Sequence, residues 1–143
     1  MPEPAKGTRY RYHCPMRWSD MDAYGHVNNV MFLTYLEEAR VDMLLTLGSD
    51  SGVKALASGV LVSHHEIDYH RPLVYHPSGV DIHLWCSAVK GATFDMRYEV
   101  RDDSTVFATA ASTLVCFDLA AERPRRVSAE ERVFLARYYE PRP

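Results

Sequence analysis

Two aspartates, one histidine and two asparagines crowd the stretch Trp18-Ser-Asp-Met-Asp-Ala-Tyr-Gly-His-Val-Asn-Asn29, directly ahead of a long helical segment. The first turn of a helix presents backbone N–H groups without intrahelical acceptors, at the positive end of the helix dipole. Such a terminus holds phosphates and stabilises a developing oxyanion. A carboxylate beside it stays ionised at neutral pH. It is placed to attack an activated acyl carbonyl or to take a proton from water. A thioester is activated enough for this pair of groups to suffice without a Ser-His-Asp triad. The same residue types also cap helices and build turns. On residue chemistry alone, Asp20 and Asp22 read equally as braces of a turn, and His26 as a hydrogen-bonding structural residue.

The elements that must position these groups are legible from periodicity. Residues from Asn29 to Leu47 read as one helix, with Asn28 or Asn29 as its cap and Gly48 just beyond its end. Its polar residues Thr34, Glu38, Asp42 and Thr46 form a narrow stripe, and apolar residues cover most of the remaining circumference. That pattern predicts a helix enveloped by other structure. Tyr10 to Trp18 alternates like a strand. Val60 to Tyr69, Gly79 to Lys90, Thr93 to Arg101 and Val106 to Phe117 follow with period-two patterning and tight polar turns, as in an antiparallel meander. A short helix from Ser128 to about Tyr138 closes the chain, and a polar lead-in of about eight residues opens it. The sum is a single α+β domain: one strand, one long helix, and four strands that wrap it.

Composition narrows the function classes. The chain has 143 residues, 47% hydrophobic and 24% charged, enough for one core without metal or disulfide staples. Sixteen basic and nineteen acidic residues leave a formal charge of −3, which gives no global attraction to nucleic acid or an anionic membrane. Cys14, Cys86 and Cys116 are scattered, arguing against a disulfide framework and for packed apolar roles. No signal-peptide h-region and no membrane-spanning run is read from the sequence, so a cytoplasmic location is the expectation.

The run from Arg17 to Arg40 closely resembles the signature of hotdog-fold acyl-CoA thioesterases of the 4-hydroxybenzoyl-CoA thioesterase type. The shared pattern is Asp-x-Asp-x-x-Gly, then a helix opening on Asn and running through an aromatic to Glu-Ala-Arg. Ile67-Asp-Tyr-His-Arg-Pro72 fits the family's second strand. The resemblance implies a long central helix wrapped by a five-stranded antiparallel sheet, no cofactor and no metal. It also implies Asp22 as the catalytic carboxylate and the backbone of Tyr24, Gly25, Val27, Asn28 and Asn29 as the carbonyl-polarising region. The substrate would be an acyl-CoA, or the same phosphopantetheine arm on an acyl-carrier protein, and the assembly a homodimer or homotetramer. His26 also resembles the histidine of plant acyl-ACP thioesterases, four residues after the aspartate. Tyr24 stands where those enzymes carry Asn, so His26 is expected to orient substrate or water.

Several further residues carry expectations. Ser63 and His64 lie on a strand expected to pass the helix start and line the acyl pocket, although pairing within the sheet explains them equally. Arg71, Lys90, Arg97 and Arg101 are candidates for the phosphates of coenzyme A. His64, His65, His70, His76 and His83 lack a convincing metal-ligand constellation. Two alternatives accompany the thioesterase reading: a hotdog dehydratase or hydratase, and a non-catalytic acyl-CoA-binding protein.

Overall fold

The computed structural model describes residues 6–47 and 59–143. The elements run β1 (Tyr10–Cys14), α1 (Asn29–Arg40), β2 (Val60–Tyr69), β3 (Val80–Val89), β4 (Thr93–Arg101), β5 (Val106–Asp118), β6 (Arg123–Pro124) and α2 (Ala129–Ala136). A single 3-10 turn, Trp18–Asp20, precedes α1, and the segment Val41–Leu47 continues it.

The five long strands form one antiparallel sheet in the order β1-β3-β4-β5-β2, with the two-residue β6 appended to β5. Period-two patterning determines which face each residue takes. In β4, Phe94, Met96, Tyr98 and Val100 are buried, while the alternate residues are half-buried on the outer face. α1 crosses the inner face and packs Phe32, Tyr35, Leu36 and Ala39 into the same core as Ile82, Leu84, Met96 and Leu114. The polar stripe predicted on the helix faces β1. Tyr10 Oη donates to Asp42, and Cys14 Sγ donates to Glu38 Oε2 at 3.4 Å.

The structure corrects two features of the predicted helix. It does not run as a uniform α-helix to Leu47. After Arg40 the backbone opens into a π-helical stretch, with the Val41 amide shared between the Glu37 and Glu38 carbonyls. The Gly48 cap lies outside the described residues. Nor is the helix enveloped: Val30, Val41 and Leu45 are exposed. The reason lies in β2, an edge strand bonded only to β5, which does not close over α1. Almost all of β2 is exposed, including Val62 and Tyr69 on the row that faces the helix.

The C-terminal helix is held from its base. Ser128 caps it, Glu131 returns the capping-box bond to the Ser128 amide at 2.8 Å, and Arg125 clamps the fully buried Glu131 at 2.7 and 2.9 Å. Gly7 and Thr8, expected within the lead-in, donate to the carbonyls of Tyr139 and Arg137. All three cysteines are free and buried. Burial pushes the Cys116 thiol up to about 11 and Cys86 to about 12, so these are packed groups and not nucleophiles.

Candidate active site

The stretch before α1 folds into a miniature hairpin. Met21 and Val27 pair as an antiparallel bridge, the Asp22 amide donates to His26 O at 2.8 Å, and the Gly25 amide donates to Asp22 O at 3.0 Å. Gly25, at φ 76°, supplies the left-handed residue that closes it. Within this hairpin the Tyr24 amide donates to Asp22 Oδ1 at 2.9 Å. One carboxylate oxygen is thereby fixed. The other has no partner among the described residues.

The neighbouring aspartate has a different environment. Asp20 is buried, and its Oδ2 accepts from Tyr35 Oη at 2.7 Å and from the Arg17 amide at 2.9 Å. Its carbonyl accepts the Asn28 amide at 3.0 Å. Burial, reinforced by the Asp20 hydrogen bond, pushes the Tyr35 phenol well above its ordinary value, so it remains a donor. Asp20 therefore ties the loop to the helix, while the half-buried Asp22 looks into a cleft.

That cleft encloses about 350 Å³ between Asp22, His26, Val27, Asn29 and Phe32 on one side and the connection Tyr69 to Leu73 on the other. Three contacts bring the walls together. The Val27 amide donates to Leu73 O at 2.7 Å, Tyr69 Oη donates to Asn29 O at 2.9 Å, and the Phe32 and Tyr69 rings meet edge-on at 5.2 Å.

The amides of this region sort sharply. Tyr24, Gly25, Val27 and Asn28 donate to Asp22 Oδ1, Asp22 O, Leu73 O and Asp20 O respectively. Beyond them, Val30 donates to the Asn28 cap and Met31 to Asn28 O. The amides of His26 and Asn29 have no acceptor among the described residues. Asn29 opens the helix and lines the cleft with Asp22, where the helix dipole adds to its amide. The cleft thus holds, among its lining residues, a carboxylate with one uncommitted oxygen and a helix-opening residue whose amide has no acceptor among the described residues.

The structure thus assembles Asp22, His26, Val27, Asn29 and Arg71 at one cleft. Tyr24 is 86% exposed and acts through its amide, Gly25 through its backbone angle, and Asn28 as the helix cap. Ser63 sits at a bulge in β2 with its Oγ bonded to Thr113 O at 3.3 Å, the within-sheet pairing that its sequence position also allowed; β2 runs antiparallel to the helix, and its final residue, Tyr69, meets the helix start. Tyr69, His70 and Leu73 complete the cleft; Tyr69 and His70 fell within the run Ile67–Pro72 that fits the family's second strand, and Leu73 follows it. Of the four cations considered for phosphate, Arg71 alone lines this cleft; Arg97 and Arg101 border recesses on the sheet's outer face.

A larger recess, about 580 Å³, lies on that outer face around Trp85 and Arg97. Arg9 pairs there with Glu99 and Glu140 and Lys6 with Glu140, and Arg9 covers the Trp85 ring at 3.8 Å, while Glu66, Asp68 and Arg97 also line it. Among the described residues no group of His, Cys, Asp and Glu is arranged to hold a metal ion, and no helix is long and apolar enough to cross a membrane.

A long helix laid across one curled antiparallel sheet is the architecture of the hotdog thioesterases. The chain belongs to the thioesterase-like superfamily, whose family model matches residues 16–135. It is a thioester hydrolase. It is 30% identical over 118 residues to the long-chain acyl-CoA thioesterase FadM of Escherichia coli K12, covering 82% of this chain and 89% of that protein. Among solved structures it resembles a putative thioesterase from Pseudomonas aeruginosa, at 32% identity and a TM-score of 0.75, over 86% of this chain and 95% of the other. It also resembles a Thermus thermophilus thioesterase complexed with coenzyme A and zinc, at 25% identity and a TM-score of 0.71, over 87% and 90% of the two chains.

Proposed function

We propose that this chain hydrolyses acyl-CoA thioesters, releasing a carboxylic acid and free coenzyme A, with Asp22 as the catalytic carboxylate. The observation that carries the reading is that Asp22, with only one carboxylate oxygen committed, lines the same cleft as Asn29, whose amide has no acceptor among the described residues. The relatives' activity on acyl-CoA and binding of coenzyme A supply the substrate class. The thioester carbonyl oxygen lies against the Asn29 amide, and the free Asp22 oxygen faces the carbonyl carbon. Asp22 then either adds to that carbon and expels the thiolate, leaving an anhydride that water cleaves, or removes a proton from the water that adds. His26, on the same hairpin, orients the thioester or the water, and Arg71 at the rim meets the anionic arm of the substrate.

The exposed β2 edge and the uncovered apolar face of α1 belong, in this reading, to a homodimer in which a second copy covers the cleft. The deciding experiment is thiol release from acyl-CoA by the wild type and by Asp22→Asn. Loss of turnover with an unchanged fold supports the reading, and near-normal hydrolysis removes Asp22 from the mechanism. In a single turnover in oxygen-18 water, label found in the Asp22 side chain establishes the anhydride route, because the general-base route labels only the released acid; trapping of the anhydride with hydroxylamine detects that route whichever carbonyl water attacks.

A further inference from the structure

Arg40, the last residue of α1, is 8% exposed. Its hydrogen bonding among the described residues is a single long contact, Nη1 to Tyr98 Oη at 3.4 Å, and no carboxylate there pairs with it. The other buried charges among the described residues are both paired, Glu131 with Arg125 at 2.7 Å and Asp20 with Arg17 at 3.7 Å. A guanidinium taken this far out of water without a counter-charge is costly.

Arg40 lines a recess of about 220 Å³ on the uncovered flank of α1, walled by Val41, Leu44 and Leu45 of the helical segment and by Val60 and Val62 of the β2 edge. Glu37 stands at the same recess. It is exposed, and no cation pairs with it among the described residues. Three residues apart on one helix, the two side chains are near enough to meet, yet no ion pair joins them. One copy of the chain therefore presents an unmatched buried cation and an unmatched exposed anion on a single, largely apolar face.

We propose that a second copy completes this face, packed about a two-fold axis so that Glu37 of each copy enters the recess of the other and pairs with its Arg40. A two-fold axis makes the contact reciprocal, so what each copy lacks the other supplies. Because the pair joins different heights on the two helices, α1 of one copy runs antiparallel to α1 of the other. Val41 and Leu45, exposed in one copy, then meet Val30 and the half-buried Leu33 of its partner. The β2 edge, which walls the same recess, lies within the contact. The helix start of each copy, with its Asp22 cleft, comes to lie beside the partner's Val41–Leu47 segment. This rests on the homodimer reading above and names the side chains that fix its geometry.

The test is sedimentation equilibrium of the wild type, Glu37→Arg, Arg40→Glu and an equimolar mixture of the two variants. The wild type is expected at twice the chain mass. Each single variant sets like charges together at both contacts and should raise the dimer dissociation constant by about a hundredfold or more. In the mixture every contact joins opposite charges again, so a heterodimer should form, and the chain carrying both substitutions should dimerise with itself. Should Arg40→Glu fail to fold, Arg40→Lys replaces it. Carbodiimide joins an amine to a carboxylate it touches, and nitrogen-15 and nitrogen-14 chains of that variant are mixed before coupling. A mixed-isotope link between positions 37 and 40 supports the pair, and its absence overturns it. A dimeric wild type whose single variants keep its dissociation constant overturns the pair alone, as do folded variants that dissociate and do not recover on mixing. A monomeric wild type overturns the homodimer and the pair together. Thiol release by the wild type, read separately, bears on the Asp22 chemistry and not on this contact.

Discussion

Tyr35 Oη donates a 2.7 Å hydrogen bond to the buried Oδ2 of Asp20, and this bond separates the roles of two aspartates with a single residue between them. It consumes Asp20 in anchoring the loop to α1. Asp22, held by one backbone amide on the other side of the hairpin, is left facing the cleft.

Opposite signatures are expected when each aspartate is replaced by asparagine. Asp22→Asn lowers kcat by a factor of about a hundred or more, with its unfolding midpoint close to wild type. Asp20→Asn and Tyr35→Phe instead each cost about 1–3 kcal/mol of stability. Chemical denaturation of the two single variants and the double variant reads the coupling, since residues sharing one bond do not add. Full additivity for Asp20 and Tyr35 would contradict the anchoring role.

The hairpin itself makes a backbone prediction. Gly25 lies at φ 76° with nothing within 4 Å of an added Cβ, so the cost of Gly25→Ala is conformational and not steric. It is about 1 kcal/mol, and Gly25→Asn costs less because Asn tolerates the left-handed region. Tyr24→Ala keeps the amide that holds Asp22 and changes kcat by no more than about threefold. A collapse of activity in Tyr24→Ala would show that the ring, and not the backbone, matters.

Acid stability should follow Glu131. Burial, the largest single influence, pushes its carboxyl up, but the bonds from Arg125 and Ser128 outweigh it and hold the folded pKa below 4.5. The unfolded chain therefore takes up this proton first. The stabilisation is complete above the ordinary carboxylate range and is lost as pH falls through the lower folded value. Arg125→Ala leaves the buried carboxylate without its clamp and costs about 3 kcal/mol at pH 7. Urea midpoints between neutral pH and about pH 3 should show a shallower slope for Glu131→Gln than for the wild type.

The uncovered β2 edge predicts assembly. Sedimentation should find twice the chain mass for the wild type, and Val62→Arg, placing a charge on the groove row of the edge strand, should shift it to the monomer. Turnover should fall with dissociation if a second copy covers the cleft. A fully active monomer would refute the shared-site arrangement.

Local chemistry carried much of this protein in its sequence. Period-two alternation located β3, β4 and β5 to within a residue, because burial of one sheet face imposes that pattern directly. The turn formers around Gly25 and the Asn28 cap were legible for the same reason: each satisfies its backbone within a few residues. What the tertiary structure alone decided were relationships between distant segments. Tyr35 selecting Asp20, Val27 pinned to Leu73, and Tyr69 at the cleft in place of Ser63 all depend on strand direction and register. The exposed flank of α1 belongs to the same class, since an apolar helix face looks alike in sequence whether its own sheet covers it or leaves it open for another chain. Residue chemistry left Asp20 and Asp22 alike in sequence, and only the family resemblance separated them; the wall that Asp22 faces was set by where a strand about 47 residues further on ends.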